Sequence, residues 1–128
     1  MPRGRILLGL AVGAFLALSA VMHSVVGGGA MRMEMAKAHV PDDLTRSLVA
    51  SWYLGGVAQL VFGGIVLWTF WREHRGRPVP RTPALFVGLG YLAFTPLALS
   101  VTGFEPFFLV VFGVPGALLV AASMADSR

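Results

Sequence analysis

Few polar residues fall inside the long apolar stretches of the chain, among them Ser19, His23, Ser24, Gln59, Tyr91, Thr95, Ser100 and Thr102. None carries a fixed charge, so the chemistry open to them in an apolar setting is hydrogen bonding. With the first and third stretches rising as helices and the second descending, His23 falls level with Trp52, and Ser100 close by. Gln59 falls about 10 Å deeper, near Ser19 and Thr95. The spacing thus gathers His23, Trp52, Gln59, Thr95 and Ser100 in one half of a bundle. They form a candidate ligand-binding set, a polar funnel opening outward with Glu105 at its rim. The plainer expectation is that His23 reaches the headgroup layer and Gln59 makes one interhelical hydrogen bond of about 1 kcal/mol.

A second constellation is Met31, Met33, Met35 and His39, with Met22 and His23 nearby. Thioether and imidazole ligands suit Cu(I). Methionine also fills apolar gaps, and alternating methionines do not share one helical face. The expectation is therefore no metal and no cofactor, with this set as the alternative Cu(I) site.

Several activities lack their residues. Proton-coupled pumps need a titratable group at depth, and no Asp, Glu, Lys or Arg lies in the middle of an apolar stretch. The small multidrug transporters match this chain in size but depend on an acidic residue in the first helix, which is missing here. The chain has no cysteine, which rules out disulfides, thiolate metal sites and the CxxC chemistry of the four-helix quinone reductases. Haem needs facing axial ligands, and the second to fourth apolar stretches contain no histidine. There is no Gly-rich phosphate loop, Ser-His-Asp set, carboxylate pair or zinc spacing. The expectation is that the protein is not an enzyme.

Composition dictates what must position these residues. Of 128 residues, 56% are hydrophobic and 12% charged, about half the charge of an ordinary soluble domain. Such a chain cannot cover its surface in water, and a mean hydropathy of +0.76 makes the bilayer its solvent. The net charge of +4 reads as orientation signal and attraction to anionic headgroups rather than nucleic-acid binding.

The chain divides at Trp71 to Arg81, which carries Arg72, Arg75, Arg77 and Arg81. A loop this basic stays on the cytoplasmic face. Arg3, Arg5 and Arg128 join that side, leaving Arg32, Lys37 and Arg46 outside. The sequence predicts one all-α domain over 1–128: a four-transmembrane-helix bundle, up-down-up-down, with both termini cytoplasmic. The helices are expected at about 5–27, 43–71, 83–102 and 106–124. Ala17-Leu18-Ser19 offers a signal-peptide cleavage pattern, but the apolar run continues past it to spanning length, so a retained helix is expected.

Gly27-Gly28-Gly29 is expected to loosen or end the first helix, and part of Ala30 to Arg46 to form a short amphipathic helix at the interface. Pro41 then Asp42 reads as a break and an N-cap. Pro96 and Pro115 lie inside the third and fourth helices, where neighbours can satisfy the freed carbonyls. Trp52 and Tyr53 stand about 24 to 29 Å from Trp68 and Trp71, close to the hydrocarbon thickness. Small residues recur at helical spacing as Gly9, Gly13, Ala17, Ala20, Ser24 and Gly27, and again as Gly56 and Gly63 with Trp52 and Gln59. These stripes predict close helix packing.

His23, the run His39-Val40-Pro41-Asp42-Asp43-Leu44 and the opening Trp52-Tyr53-Leu54-Gly55 resemble a pattern in small bacterial four-helix membrane proteins of uncharacterised function. The resemblance covers the first half of the chain, implies a four-helix fold and carries over no site. The sequence reading is a small inner-membrane accessory, assembly or scaffold subunit. Membrane lipids and other membrane-protein subunits, or further copies of itself, would be its partners, with no nucleic acid. The alternative is a binding or transport protein for a small apolar or amphiphilic ligand.

Overall fold

The computed structural model describes residues 2–77 and 79–125, the side chain of Pro2 excepted. Arg128, counted above with the basic side, lies outside the described residues. The described residues are helical, with no strand. The elements are α1 (Pro2–Met22), a π-helical turn π1 (His23–Gly27), α2 (Gly28–Lys37), α3 (Asp42–His74), α4 (Thr82–Val101), α5 (Pro106–Phe108), a second π-turn π2 (Leu109–Gly113) and α6 (Val114–Met124). They join into four rods, Arg3–Lys37, Asp42–His74, Thr82–Val101 and Pro106–Met124, each long and apolar enough to cross a membrane.

The first rod departs from expectation. The three glycines do not end it, and no separate interfacial helix forms: α1, π1 and α2 run on without a break. Gly27 and Gly28 keep right-handed helical backbone because α3 packs on them. A Cβ at Gly27 would come within 2.8 Å of the Trp52 ring, and one at Gly28 within 3.3 Å of the Tyr53 hydroxyl. At 1.5 Å per residue the first two rods are about 50 Å long, while the last two are about 30 Å. The first hairpin therefore projects about 20 Å past the second.

Three rod ends share one stop. After α2, His39 takes φ 53°, its N–H donates to Ala36 O at 3.2 Å and that of Val40 to Met35 O at 3.0 Å. This is the paired closure of a Schellman motif. Gly76 (φ 68°) closes α3 in the same way, with N–H groups of Gly76 and Arg77 on Glu73 O and Arg72 O. After α4, Phe104 N–H donates to Leu99 O at 2.7 Å. The cap of α3 is Pro41 rather than Asp42, with Asp42 and Asp43 in the first turn, where the helix dipole favours their charge.

Small residues set the packing. A Cβ on Gly63 would lie 2.7 Å from the backbone nitrogen of Ala17, and one on Gly13 2.9 Å from Leu67. Gly56 meets Ser24, and Gly9 lies under the Phe70 ring. The two predicted stripes thus face each other, giving α1 and α3 an intimate antiparallel contact. α4 and α6 cross as closely at Gly88 and Gly116, each Cβ position about 3 Å from the other's carbonyl. α1 also meets α6. The buried core of Val12, Leu16, Val66, Phe70, Ala84, Val87, Tyr91, Leu119 and Ala122 sits toward the end that carries the arginine loop.

Outside this core the rods are apolar and uncovered. Only about a third of each spanning stretch is buried, and Leu18, Val25, Leu54 and Val101 are about 70% exposed. Exposed apolar surface on that scale exceeds what a soluble monomer carries, so the outward faces suit lipid.

Candidate functional site

The rods do not close evenly. α1 packs along α3, and α4 along α6, but α3 and α4 touch far less. Between them lies a cleft of about 740 Å³, within the size range of small-molecule sites. α3 lines it with Gly55, Ala58, Gln59, Phe62 and Ile65, and α4 with Pro83, Phe86, Val87, Gly90, Tyr91 and Phe94. His23 and Phe112 complete it. The run from Gly55 to Ile65 makes the cleft about 15 Å long.

Both π-turns serve this cleft. His23 opens π1, and Phe112 lies in π2. A π-turn inserts one residue into the helical register and re-aims the side chains around it. In π2 the cause is legible: Pro115 lacks the N–H that would bond Val111 O, and its ring crowds that carbonyl. The widened turn accommodates both faults.

His23 is held by reciprocal contacts. Its ring stacks on Trp52, centroids 4.1 Å apart and planes 8° from parallel. Trp52 Nε1 donates to the His23 carbonyl at 2.8 Å, and His23 Nε2 donates to the Trp52 carbonyl at 3.2 Å. A carbonyl can only accept, so that second bond makes Nε2 the donor, and in the tautomer it selects Nδ1 is the acceptor. Gln59 lies deeper in the same wall, facing the Tyr91 hydroxyl. The polar groups thus occupy the end of the cleft away from the arginine loop. The other end, Phe62, Ile65, Pro83, Phe86 and Val87, is wholly apolar.

The structure separates the five candidate residues. His23 and Gln59 line the cleft, and Trp52 stands behind His23. Thr95 is buried against Gly113, where a Cβ would lie 3.4 Å from its methyl, and its hydroxyl donates to Tyr91 O at 2.8 Å. Ser100 is exposed and donates to Leu97 O at 2.8 Å. Neither Thr95 nor Ser100 reaches the cleft, because both hydroxyls turn back onto α4 itself. Glu105 caps α5 and is not in the lining.

The alternative copper set is spread along α2 and its closing turn. Met31 and Met35 lie one turn apart, while Met33 faces away at 58% exposure. His39 Nδ1 is engaged with Ala36 O at 3.2 Å.

A second cluster, at the loop end, is invisible in a count of charges. Arg5 is 8% exposed and pairs with Glu73. Arg81 Nε stands 3.9 Å from the same carboxylate. Arg5 and Arg81 each donate to Ala125 O at 2.7 Å, and Arg81 also to Ser123 O at 3.1 Å. One carboxylate and two guanidiniums therefore tie α1, α3 and the start of α4 to the carbonyl end of α6. Its one sequence signal is that Glu73 is the lone acid within WREHRGR.

Comparison with protein families, with curated proteins and with solved structures finds no match. The cleft must be read from its own chemistry. Its lining carries no charged side chain, so it can hold apolar atoms along its length and one neutral polar group at the His23, Gln59 and Tyr91 end.

Proposed function

We propose that this protein is a multi-pass membrane protein that binds a small neutral amphiphile in the cleft between α3 and α4 and does no chemistry on it. One observation carries the reading: the cleft's polarity is one-sided, with its hydrogen-bonding groups at one end and only hydrocarbon at the other. An alcohol, ketone or ester head would meet the Gln59 amide, the Tyr91 hydroxyl and Nδ1 of His23, and its tail would lie among Phe62, Phe86 and Ile65. A charged head has no counter-ion there, and an unpaired charge in so dry a site is costly. The basic loop supports placing the arginine end in the cytoplasm of the cell membrane, with the polar end of the cleft in the outer half.

Gly90 supplies the test. It lines the cleft, and a Cβ there would meet nothing within 4 Å. Gly90→Leu should fold normally and fill the cleft. The probe is a long-chain alcohol bearing a diazirine, photolysed with the protein in phosphatidylcholine vesicles and mapped by mass spectrometry. Saturable labelling at Phe62 and Phe86, competed by unlabelled alcohol, is expected. It should weaken about tenfold in Gly90→Leu, equivalent to about 1.4 kcal/mol. Labelling that is unsaturable, or unchanged in the variant, overturns the reading.

The accessory-subunit reading draws support from the projecting hairpin, where Met33, Leu44 and Leu48 are exposed. Mass measurement after gentle extraction tests it, since a stoichiometric second protein is then expected and a lone chain counts against it.

A further inference from the structure

The loop end carries a second recess, a groove of about 260 Å³ lined by Leu10 and Leu67 and walled by Trp68 and Trp71. The Arg72 guanidinium lies over the Trp68 ring, 5.8 Å from its centroid, and that of Arg75 over Trp71 at 5.7 Å. The two pairs are one helical turn apart at the end of α3, with Arg75 the residue that follows its last turn, so the two cations stand on the rim of one apolar slot. Arg72 Nε is buried with no hydrogen-bond partner among the described residues. Among the described residues the acid beside it is Glu73, whose Oε1 pairs with Arg5 and whose Oε2 stands 3.9 Å from Arg81 Nε. Among the described residues the slot therefore presents two guanidiniums that no carboxylate pairs, above a hydrocarbon-lined groove.

We propose that this is a binding site for one anionic phospholipid, its phosphate between Arg72 and Arg75 and an acyl chain in the groove between the tryptophans. Arginine pairs with phosphate through paired N–H donors, and basic pockets beside spanning helices hold anionic headgroups. The groove decides between a lipid and free phosphate, because inorganic phosphate has no use for Leu10 and Leu67. The proposal rests on the rods being membrane spans, which flotation of the protein with vesicles checks separately. It does not depend on the cleft.

The test uses the tryptophans as reporters. The protein is reconstituted into phosphatidylcholine vesicles containing increasing fractions of acyl-brominated phosphatidylglycerol or acyl-brominated phosphatidylcholine. Phosphatidylglycerol should quench at a several-fold lower mole fraction. The preference should vanish in Arg72→Gln/Arg75→Gln and return in Arg72→Lys/Arg75→Lys. The charge-matched pair Arg3→Gln/Arg77→Gln, on exposed residues that overlie neither ring, should keep it. Trp68→Phe/Trp71→Phe, which leaves Trp52 at the far end, should show no preference. Equal quenching by the two lipids overturns the site. So does equal loss in the charge-matched pair, which would mean diffuse attraction, or abolition by inorganic phosphate in the buffer.

Discussion

Glu73 shows how much one side chain can hold. Its carboxylate is the acid partner of Arg5, whose side chain is 6% exposed, and removing one member of a buried pair strands the other charge. Glu73→Ala should cost about 3–5 kcal/mol, whereas replacing Glu73 and Arg5 together by apolar residues of similar volume should cost much less, since only the more exposed Arg81 is then left without its acid. Thermal unfolding in mild detergent of Glu73→Ala beside Arg5→Met/Glu73→Leu makes the comparison. If the single variant melts with the wild type, the cluster does not clamp the helix ends. At this scale the sequence is a poor guide to partners. Arg5 and Glu73 lie 68 positions apart, and by composition Arg5 reads as one more orientation signal. His23 and Gln59 were legible because polar atoms in apolar stretches are rare. Thr95 and Ser100 were equally rare, but a hydroxyl can be satisfied by its own helix, and both are.

At the scale of helices, the stripe of small residues is the most readable feature, since spacing of three and four fixes a face whatever packs on it. It makes a sharp internal comparison. A Cβ on Gly63 would press on backbone atoms of Ala17, while one on its neighbour Gly64 would meet nothing within 4 Å. Backbone cannot swing aside like a side chain, so Gly63→Ala must push α1 and α3 apart. Gly64→Ala should be neutral or slightly stabilising, because alanine is favoured over glycine in a helix by up to about 1 kcal/mol. Melting temperatures in one detergent decide the matter, and equal behaviour of the two variants would sink the close-packing account. The triple glycine misleads because glycine's cost within a helix is small beside what tertiary contact supplies, here from Trp52 and Tyr53. The π-turns are unreadable for a different reason: one extra residue in a turn barely disturbs a pattern that is apolar all round.

For the molecule as a whole, number and polarity of the rods follow from the sequence, but the cleft does not. On rods apolar all round, periodicity cannot say which side meets a neighbour, lipid or a void, so Phe62 and Phe86 look like any other apolar residue. The gap between α3 and α4 exists because each has a closer partner, α1 and α6 respectively. Which way the cleft's polar end points depends on orientation, and there the charge argument is specific. Four arginines crowd 72–81, whereas the opposite hairpin tip mixes Arg32, Lys37 and Arg46 with Glu34, Asp42 and Asp43. Carrying the arginine loop across the bilayer is the costlier choice. The absence of cysteine makes single-cysteine labelling clean. Gly76 is a poor position, since its φ of 68° strains any side chain, but Arg77 is exposed and free of that constraint. Lys37, with its side chain 66% exposed, marks the other tip. A membrane-impermeant maleimide added to intact cells should label Lys37→Cys at once and Arg77→Cys only after permeabilisation. The opposite pattern would turn the bundle over, placing the polar end of the cleft toward the cytoplasm and the two tryptophan-stacked arginines outside.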